Sequence, residues 1–423
     1  MRYINSLDYL SKLNSMRIRL GLDRIRRLLK RLNHPQKRYA TVVIGGTNGK
    51  GSIAAMTASM LSMGGFRTGL YTSPHLIDVR ERIRIDGHMI SREEMQACIE
   101  EVKRQVTDDV TYFEFLTAAA FLYFDRRQVD VAVLEVGMGG RLDATNVTEP
   151  AVSVVSNIAL DHLTYLGTRL EDIAREKIGI IKPGVSCVTA VRQKHLVKMF
   201  EEACLERKTR LYRLGKDIKV RNETDGIFSF KGIHKDYNHL SCPLKGRHQI
   251  DNAALAVGTV ALLSEKGFRL ENNAIYQGLK DTHWEGRLEI LQKRPVVLID
   301  AAHNPAGIGA LCDTLKTQFS YRRLIVIFGV LNDKDYKNML KKMAPLVQHL
   351  IITRPDSSRS LSPEKIFMIA QQYHCETVIV EKPDEALHQA LVEAGPDDLI
   401  CITGSVYLIG EIKRVYQKVH REK

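Results

Sequence analysis

The residues best placed to do chemistry stand in the run Gly46-Thr47-Asn48-Gly49-Lys50-Gly51-Ser52. It follows the apolar stretch ATVVI (40–44) and precedes a helical pattern that begins at about Lys50. Glycines let backbone N–H groups close on phosphates, and a helix N-terminus adds positive potential. Lys50 can then reach β- and γ-phosphates, and Ser52 can ligate Mg²⁺. The common spacing G-x-x-x-x-G-K-[ST] fails, because Ile44 stands five positions before Gly49. The run therefore reads as a phosphate loop of unusual spacing, with a glycine-rich structural turn as the alternative.

Three further segments carry reactive side chains. In LEVGMGGRLDATN (134–146), Glu135 ends an apolar strand, where an open α/β sheet binds ligands and an acid suits Mg²⁺. Gly137, Gly139 and Gly140 allow close backbone approach, and Asp143 could contact a substrate. In 157–184, His162 lies just past another strand, and Thr168-x-x-Glu171 has the form of a capping box that would start a helix. Its apolar stripe runs Leu170, Ile173, Ala174, Lys177 and Ile181, so Lys177 faces the core. A desolvated lysine becomes a neutral nucleophile, whereas one that snorkels to solvent stays an ordinary cation. Farther on, VVLIDAAHNPAG puts Asp300 at a strand end with His303 and Asn304 after it, and CITGSVYLIG repeats that design with Gly404 and Ser405.

These groups need a scaffold that gathers strand ends. Residues 40–190 alternate apolar strands (ATVVI, VDVAVLEV, AVSVVSNI) with helices, which predicts a parallel sheet covered on both faces. The texture over 208–245 predicts a small antiparallel insertion, followed by helices at 250–266 and 271–280. THWEGRLEILQKRP (282–295), with the only tryptophan, reads as a domain junction. Five βα units follow: VVLID, LIVIFGVL, HLIITR, TVIV and LICITG. The expected architecture is α/β, with a phosphate-loop ATPase domain over 1–286 and a Rossmann-like, doubly wound domain over 287–423. A chain of 423 residues exceeds one comfortable core, which agrees with two domains.

Composition narrows the function classes. Seven cysteines without a C-x-x-C pair argue against a disulfide framework or structural zinc and for a reducing cytoplasm. No apolar run is long enough to span a bilayer, so no membrane role is expected. The basic N-terminal segment contains Asp8 and Asp23 and lacks an apolar core, so it reads as mature protein, not a targeting peptide. The net charge of +13 is dispersed and has no aromatic-flanked RNA motif, and it suits a polyanionic small substrate. An ATP-driven nucleic-acid-binding protein remains the alternative from another class.

Taken in order, GTNGKGS, YTSPHL, ERI, FEFLTAAAF, EVGMGGRLDATN, LDHLTYLG, REKIGIIKPG, GRHQIDNAALA, WEGRLEI, DAAHNP, GVLNDKD and TGSVYLIGE run from about Leu20 to Gly410. The set closely resembles folylpolyglutamate synthases and the bifunctional dihydrofolate synthases, ligases of the Mur superfamily. That resemblance implies an ATP-dependent ligase. ATP phosphorylates a carboxylate of dihydropteroate or tetrahydrofolate, and the amine of L-glutamate displaces the phosphate. It implies Asn48, Gly49, Lys50, Gly51, Ser52, Asn252, Arg287 and Asp300 at ATP. It implies Ser73, Glu135, His162 and Lys177, with Ser52, at Mg²⁺, two ions on this reading. Lys177 matches a lysine that is carbamylated in the family, and Lys50, Lys177 and His162 become the catalytic candidates. Leu20, Gly21, Leu22, Thr111, Tyr112, Phe113, Glu114, Leu142, Asp143 and Ala144 resemble the pterin-substrate segments, and His303 and Ser405 the glutamate site.

The sequence departs from the family at Gly45 and Ala301, where alanine and glycine are usual. A monofunctional folylpolyglutamate synthase or another Mur-type ligase is the nearer alternative. The latter would usually carry a separate N-terminal UDP-substrate domain, for which a loop beginning by residue 45 leaves no room. A monomer without nucleic-acid partners is expected.

Overall fold

The computed structural model describes residues 2–13, 19–107, 109–224 and 226–421; part of the basic N-terminal segment, 14–18, lies outside them. The first sheet contains β1 (Ala40–Gly45), β2 (Thr68–Tyr71), β3 (Ile83–Ile85), β4 (His88–Met89), β5 (Val131–Glu135), β6 (Val152–Val155), β7 (Cys187–Thr189) and β8 (Leu211–Arg213). Their order across the sheet is β4-β3-β2-β5-β1-β6-β7-β8. All neighbours from β2 to β8 pair in parallel, and only the β2–β3–β4 edge is antiparallel.

Alternation along these strands serves two cores. Val43, Leu134 and Val155 pack on one face with Phe115 and Phe121, while Val42, Ile44, Val133 and Val154 pack on the other. Burial on both faces explains the near-continuous apolar runs of the sequence. β1 is flanked by β5 and β6 in matching register, Ile44 beside Glu135 and Gly45 beside Val155. The chain segments leaving these three strands therefore emerge side by side, at the edge where open α/β sheets bind ligands.

The helix Lys50–Met63 is buried on nearly every side, between the sheet and the helices Arg247–Ser264 and Asn272–Lys280. A Cβ on Gly278 would lie 2.5 Å from Met60 Cα, so that crossing needs glycine. The loop before this helix is thus carried on one of the most enclosed elements of the fold.

A three-stranded antiparallel sheet follows: β9 (Lys219–Thr224), β10 (Ile227–Lys231) and β11 (Tyr237–Ser241). It is shorter than the sequence texture suggests, because Leu211–Arg213 joins the main sheet in parallel with β7. The second sheet holds β12 (Glu289–Lys293), β13 (Val296–Ile299), β14 (Leu324–Phe328), β15 (His349–Ile352), β16 (Glu376–Ile379) and β17 (Leu399–Thr403), in the order β12-β13-β17-β14-β15-β16. The five expected βα units are its parallel part, and β12, from the junction segment, adds an antiparallel edge. No helix among the described residues is long and apolar enough to cross a membrane.

The helix Leu170–Ile178 does not start with the expected capping box. Arg169 is its N-cap and makes no side-chain cap bond. The carboxylate of Glu171 turns outward, 3.4 Å from Arg169 and 3.5 Å from His195, instead of back to Thr168. Ile181 falls beyond the helix, yet Lys177 is buried as its stripe requires.

Candidate active site

The loop after β1 closes on itself before any partner is considered. Gly46 (φ +128°) and Gly49 (φ +85°) occupy backbone conformations that favour glycine, and a Cβ on Gly46 would meet Ser156 Oγ at 1.9 Å. Asn48 is the pivot. Its N–H donates to Asn157 Oδ1 (3.0 Å), and its carbonyl accepts from Ser156 Oγ (2.6 Å) and Asn157 Nδ2 (3.1 Å). Asn252, on the Arg247–Ser264 helix, presses against Gly49 and receives orientation from Gln249 (2.9 Å).

Lys50 Nζ lies against the carbonyls of Gly46 (3.2 Å) and Thr47 (3.1 Å). Burial lowers its pKa, and the charge of Glu135 opposes that shift. Lys177 Nζ reaches the same Gly46 carbonyl at 2.7 Å; burial first, then the charge of Lys50, bring its pKa down to about 7. Two lysines from separate helices thus converge on one loop carbonyl. Glu135 accepts from the Ser73 N–H (2.9 Å), and burial raises its pKa against the pull of Lys50.

Ser52 is 1% exposed and its hydroxyl has no hydrogen-bond partner among the described residues. His162 Nδ1 is likewise buried without one, and burial pushes the imidazole down to about 3, so it stays neutral. Orphaned hard-oxygen and imidazole donors beside a buried carboxylate fit a divalent cation. No three His, Cys, Asp or Glu side chains cluster as a metal site among the described residues. The donor set is therefore mixed.

A cleft of about 450 Å³ joins these groups to the second sheet, with Asn252, Arg287, Asp300 and His303 also on its wall. Both oxygens of Asp300 are engaged by backbone N–H groups, Leu288 at 3.0 Å and Ala302 at 2.9 Å. Asp300 therefore ties the junction segment to the second sheet as well as facing the cleft.

The adjoining cavity, about 300 Å³, is more apolar and is lined by Leu20, Gly21, 111–114 and 142–144, together with His303 and Ser405. Leu22 does not line it: it is buried at the N-cap of the Asp23–Arg31 helix, where its side chain serves packing. Thr111 and Glu114 form a true capping box on the Tyr112–Arg126 helix, and Arg24 pairs with Glu114 at 3.2 Å. Asp143 spends its oxygens on the N–H groups of Met138 (2.9 Å) and Thr145 (3.0 Å). These polar residues shape the cavity mouth through local backbone bonds.

Residues 44–260 match the family described as Mur ligase middle domain, and 286–406 match Mur ligase, glutamate ligase domain. The dihydrofolate synthase/folylpolyglutamate synthase of Bacillus subtilis (strain 168) is 35% identical over 410 residues, covering 94% of this chain and 95% of its own. The chain belongs to the folylpolyglutamate synthase/dihydrofolate synthase family of Mur ligases. Among solved family structures, E. coli FolC in complex with DHPP and ADP superposes with a TM-score of 0.91 at 30% identity, covering 99% of this chain and 98% of FolC. A bifunctional folylpolyglutamate synthase/dihydrofolate synthase with Mn, AMPPNP and L-glutamate bound gives 0.88 at 28% identity, covering 97% and 98%.

Within this ligase, sequence reasoning missed the residues that hold the cleft's two walls together. Asp161 pairs with Lys334 (2.6 Å), accepts from Asn304 Nδ2 (3.1 Å) and lies 3.3 Å from His303. Asn304 and Asn48 exchange amide hydrogen bonds at 3.2 and 2.9 Å. Burial pushes the Asp161 carboxyl up, but the His303 bond and the charges of His303 and Lys334 hold it far below the usual range. Both residues stand inside the motifs LDHLTYLG and GVLNDKD, yet 173 positions separate them and no local pattern links them. Lys334→Met should lower folding stability by roughly 3 kcal/mol, the scale for stripping one partner from a buried pair. Urea denaturation checks this, and an unchanged midpoint would mean that Asp161 does not need Lys334.

Proposed function

We propose that this chain joins L-glutamate to dihydropteroate, to the terminal glutamate of tetrahydrofolate, or to both, through an acyl phosphate made from ATP. A carboxylate is a poor electrophile until an oxygen becomes a leaving group. Transfer of the γ-phosphoryl to that oxygen releases ADP; attack by the glutamate amine then forms the amide and expels phosphate. The observation that carries this reading is the junction of two cavities at Ser73 and Pro74. One has a phosphate-type loop and buried lysines, and the other is mostly apolar with basic side chains among its lining. Its neighbours in the family bind ADP, DHPP, AMPPNP and L-glutamate in the same fold.

In this reading 46–52 grip the ATP phosphates, with Lys50 turning from its loop carbonyls to the transferred group. Asn252, Arg287 and Asp300 hold the rest of the nucleotide across the cleft. Ser52, Ser73, Glu135 and His162 would hold Mg²⁺, with two ions expected. The metal supplies screening between the two anions and fixes their alignment. Lys177 acts as a carbamate: its neutral amine adds CO₂ and releases one proton, which gives an anionic oxygen donor. His303 and Ser405, with Lys334 and Arg359 nearby, receive the incoming glutamate, because that corner of the cavity combines cations with a helix start at Val406. The apolar walls at 111–114 and 142–144 receive the pterin. We further propose that 1–286 and 287–423 are the two working domains of a cytoplasmic monomer without a nucleic-acid partner.

The test is ADP release by purified protein. It should require L-glutamate together with tetrahydrofolate or dihydropteroate, and be indifferent to DNA and RNA. Release stimulated by nucleic acid and unaffected by glutamate would transfer the chain to the other class.

A further inference from the structure

Four long cationic side chains line the apolar cavity, and three already have a carboxylate. Arg19 pairs with Asp109 (2.6 Å), Lys334 with Asp161 (2.6 Å) and Arg359 with Asp333 (2.9 Å). Arg82 has no carboxylate in ion-pair contact among the described residues, although it is only 8% exposed; its charge reaches Glu135 from farther off. Its Nε donates to His75 Nδ1 at 2.8 Å, and its guanidinium carbon lies 5.5 Å from the Tyr112 ring centroid. Those two contacts fix the plane of the group and leave its Nη donors for the cavity. A buried guanidinium is costly unless an anion completes it, and its fork fits a carboxylate in a bidentate pair.

Position selects which carboxylate. The Arg82 carbonyl accepts from the Thr72 N–H (3.0 Å), so Arg82 sits beside Ser73 and Pro74, which are part of the wall common to both cavities. The carboxylate to be phosphorylated must turn toward the lysines of the loop, on the far side of that wall. A folate substrate carries a second carboxylate, the α-carboxylate of its terminal glutamate, three carbons from the reacting one, and dihydropteroate has no such group. Resting on the function proposed above, we infer that Arg82 binds this α-carboxylate and so selects glutamyl-tailed substrates for elongation.

The experiment compares tetrahydrofolate with its α-carboxamide analogue, using the wild-type chain, Arg82→Gln and Arg82→Lys. Wild type should use the amide with kcat/KM about a hundredfold lower, the scale of a lost buried charge pair. Arg82→Gln should lose a similar factor with tetrahydrofolate and no longer distinguish the two substrates, while Arg82→Lys keeps part of the preference. Equal use of both substrates by wild type would overturn the inference, as would a full preference retained by Arg82→Gln. The wild-type comparison decides even if the variants do not fold. A wild-type chain that turns over neither folate nor dihydropteroate overturns the parent function, and this inference with it.

Discussion

Lys50→Ala should fold normally and lose two to three orders of magnitude in kcat. The ammonium sits at the first residue of a buried helix, held by two loop carbonyls at 3.2 and 3.1 Å, within a cleft that also contains Glu135. Charge that develops on a transferred phosphoryl group needs a cation placed in advance, and removing one such donor costs roughly 3–4 kcal/mol. Stability should change little, since the mutation also removes a desolvated charge whose burial opposes ionisation. Steady-state kinetics with circular dichroism checks both halves. A kcat near wild type would remove Lys50 from the reaction.

Lys177→Ala should be comparably damaging for a different reason. Lys177 is 4% exposed and donates to Gly46 at 2.7 Å, with its pKa lowered to about 7. Ordinary lysines near neutral pH are almost wholly protonated and unreactive toward CO₂, whereas this one is substantially neutral. The sign is fixed by that shift. Falling pH protonates the amine and blocks carbamylation, so activity should decline below about pH 7 and recover with added bicarbonate. Formate or acetate at high concentration should restore part of the alanine variant by supplying a carboxylate. Intact mass of the wild-type chain in bicarbonate buffer reads the modification directly; an unmodified Lys177 in wild type together with a fully active Lys177→Ala would return the residue to packing alone.

Much of this site was legible because strand ends collect it. The glycine spacing around Lys50, the acid closing β5 and the lysine on the stripe of 170–178 are local patterns, and each lands on the cleft wall. Misreadings arose where one local pattern has two physical uses. Thr168-x-x-Glu171 has the capping form, but Glu171 is claimed by Arg169 and His195. Thr111 and Glu114 form the capping box that 168–171 does not, and both also line the apolar cavity. Leu22 continues the Leu20-Gly21 segment in sequence, yet the helix start at Asp23 turns it inward. Asp161–Lys334 and Asn48–Asn304 were beyond reach, since such pairs exist only once two sheets have folded and met.

The central claim is that phosphate leaves carrying an oxygen from the pterin substrate's carboxylate. Tetrahydrofolate labelled with ¹⁸O in its γ-carboxylate, or dihydropteroate labelled in its single carboxylate, is turned over with ATP and L-glutamate, and the released phosphate is analysed by mass spectrometry. Passage through an acyl phosphate predicts one ¹⁸O transferred per phosphate formed. Phosphate released during amide formation without ¹⁸O would contradict the mechanism.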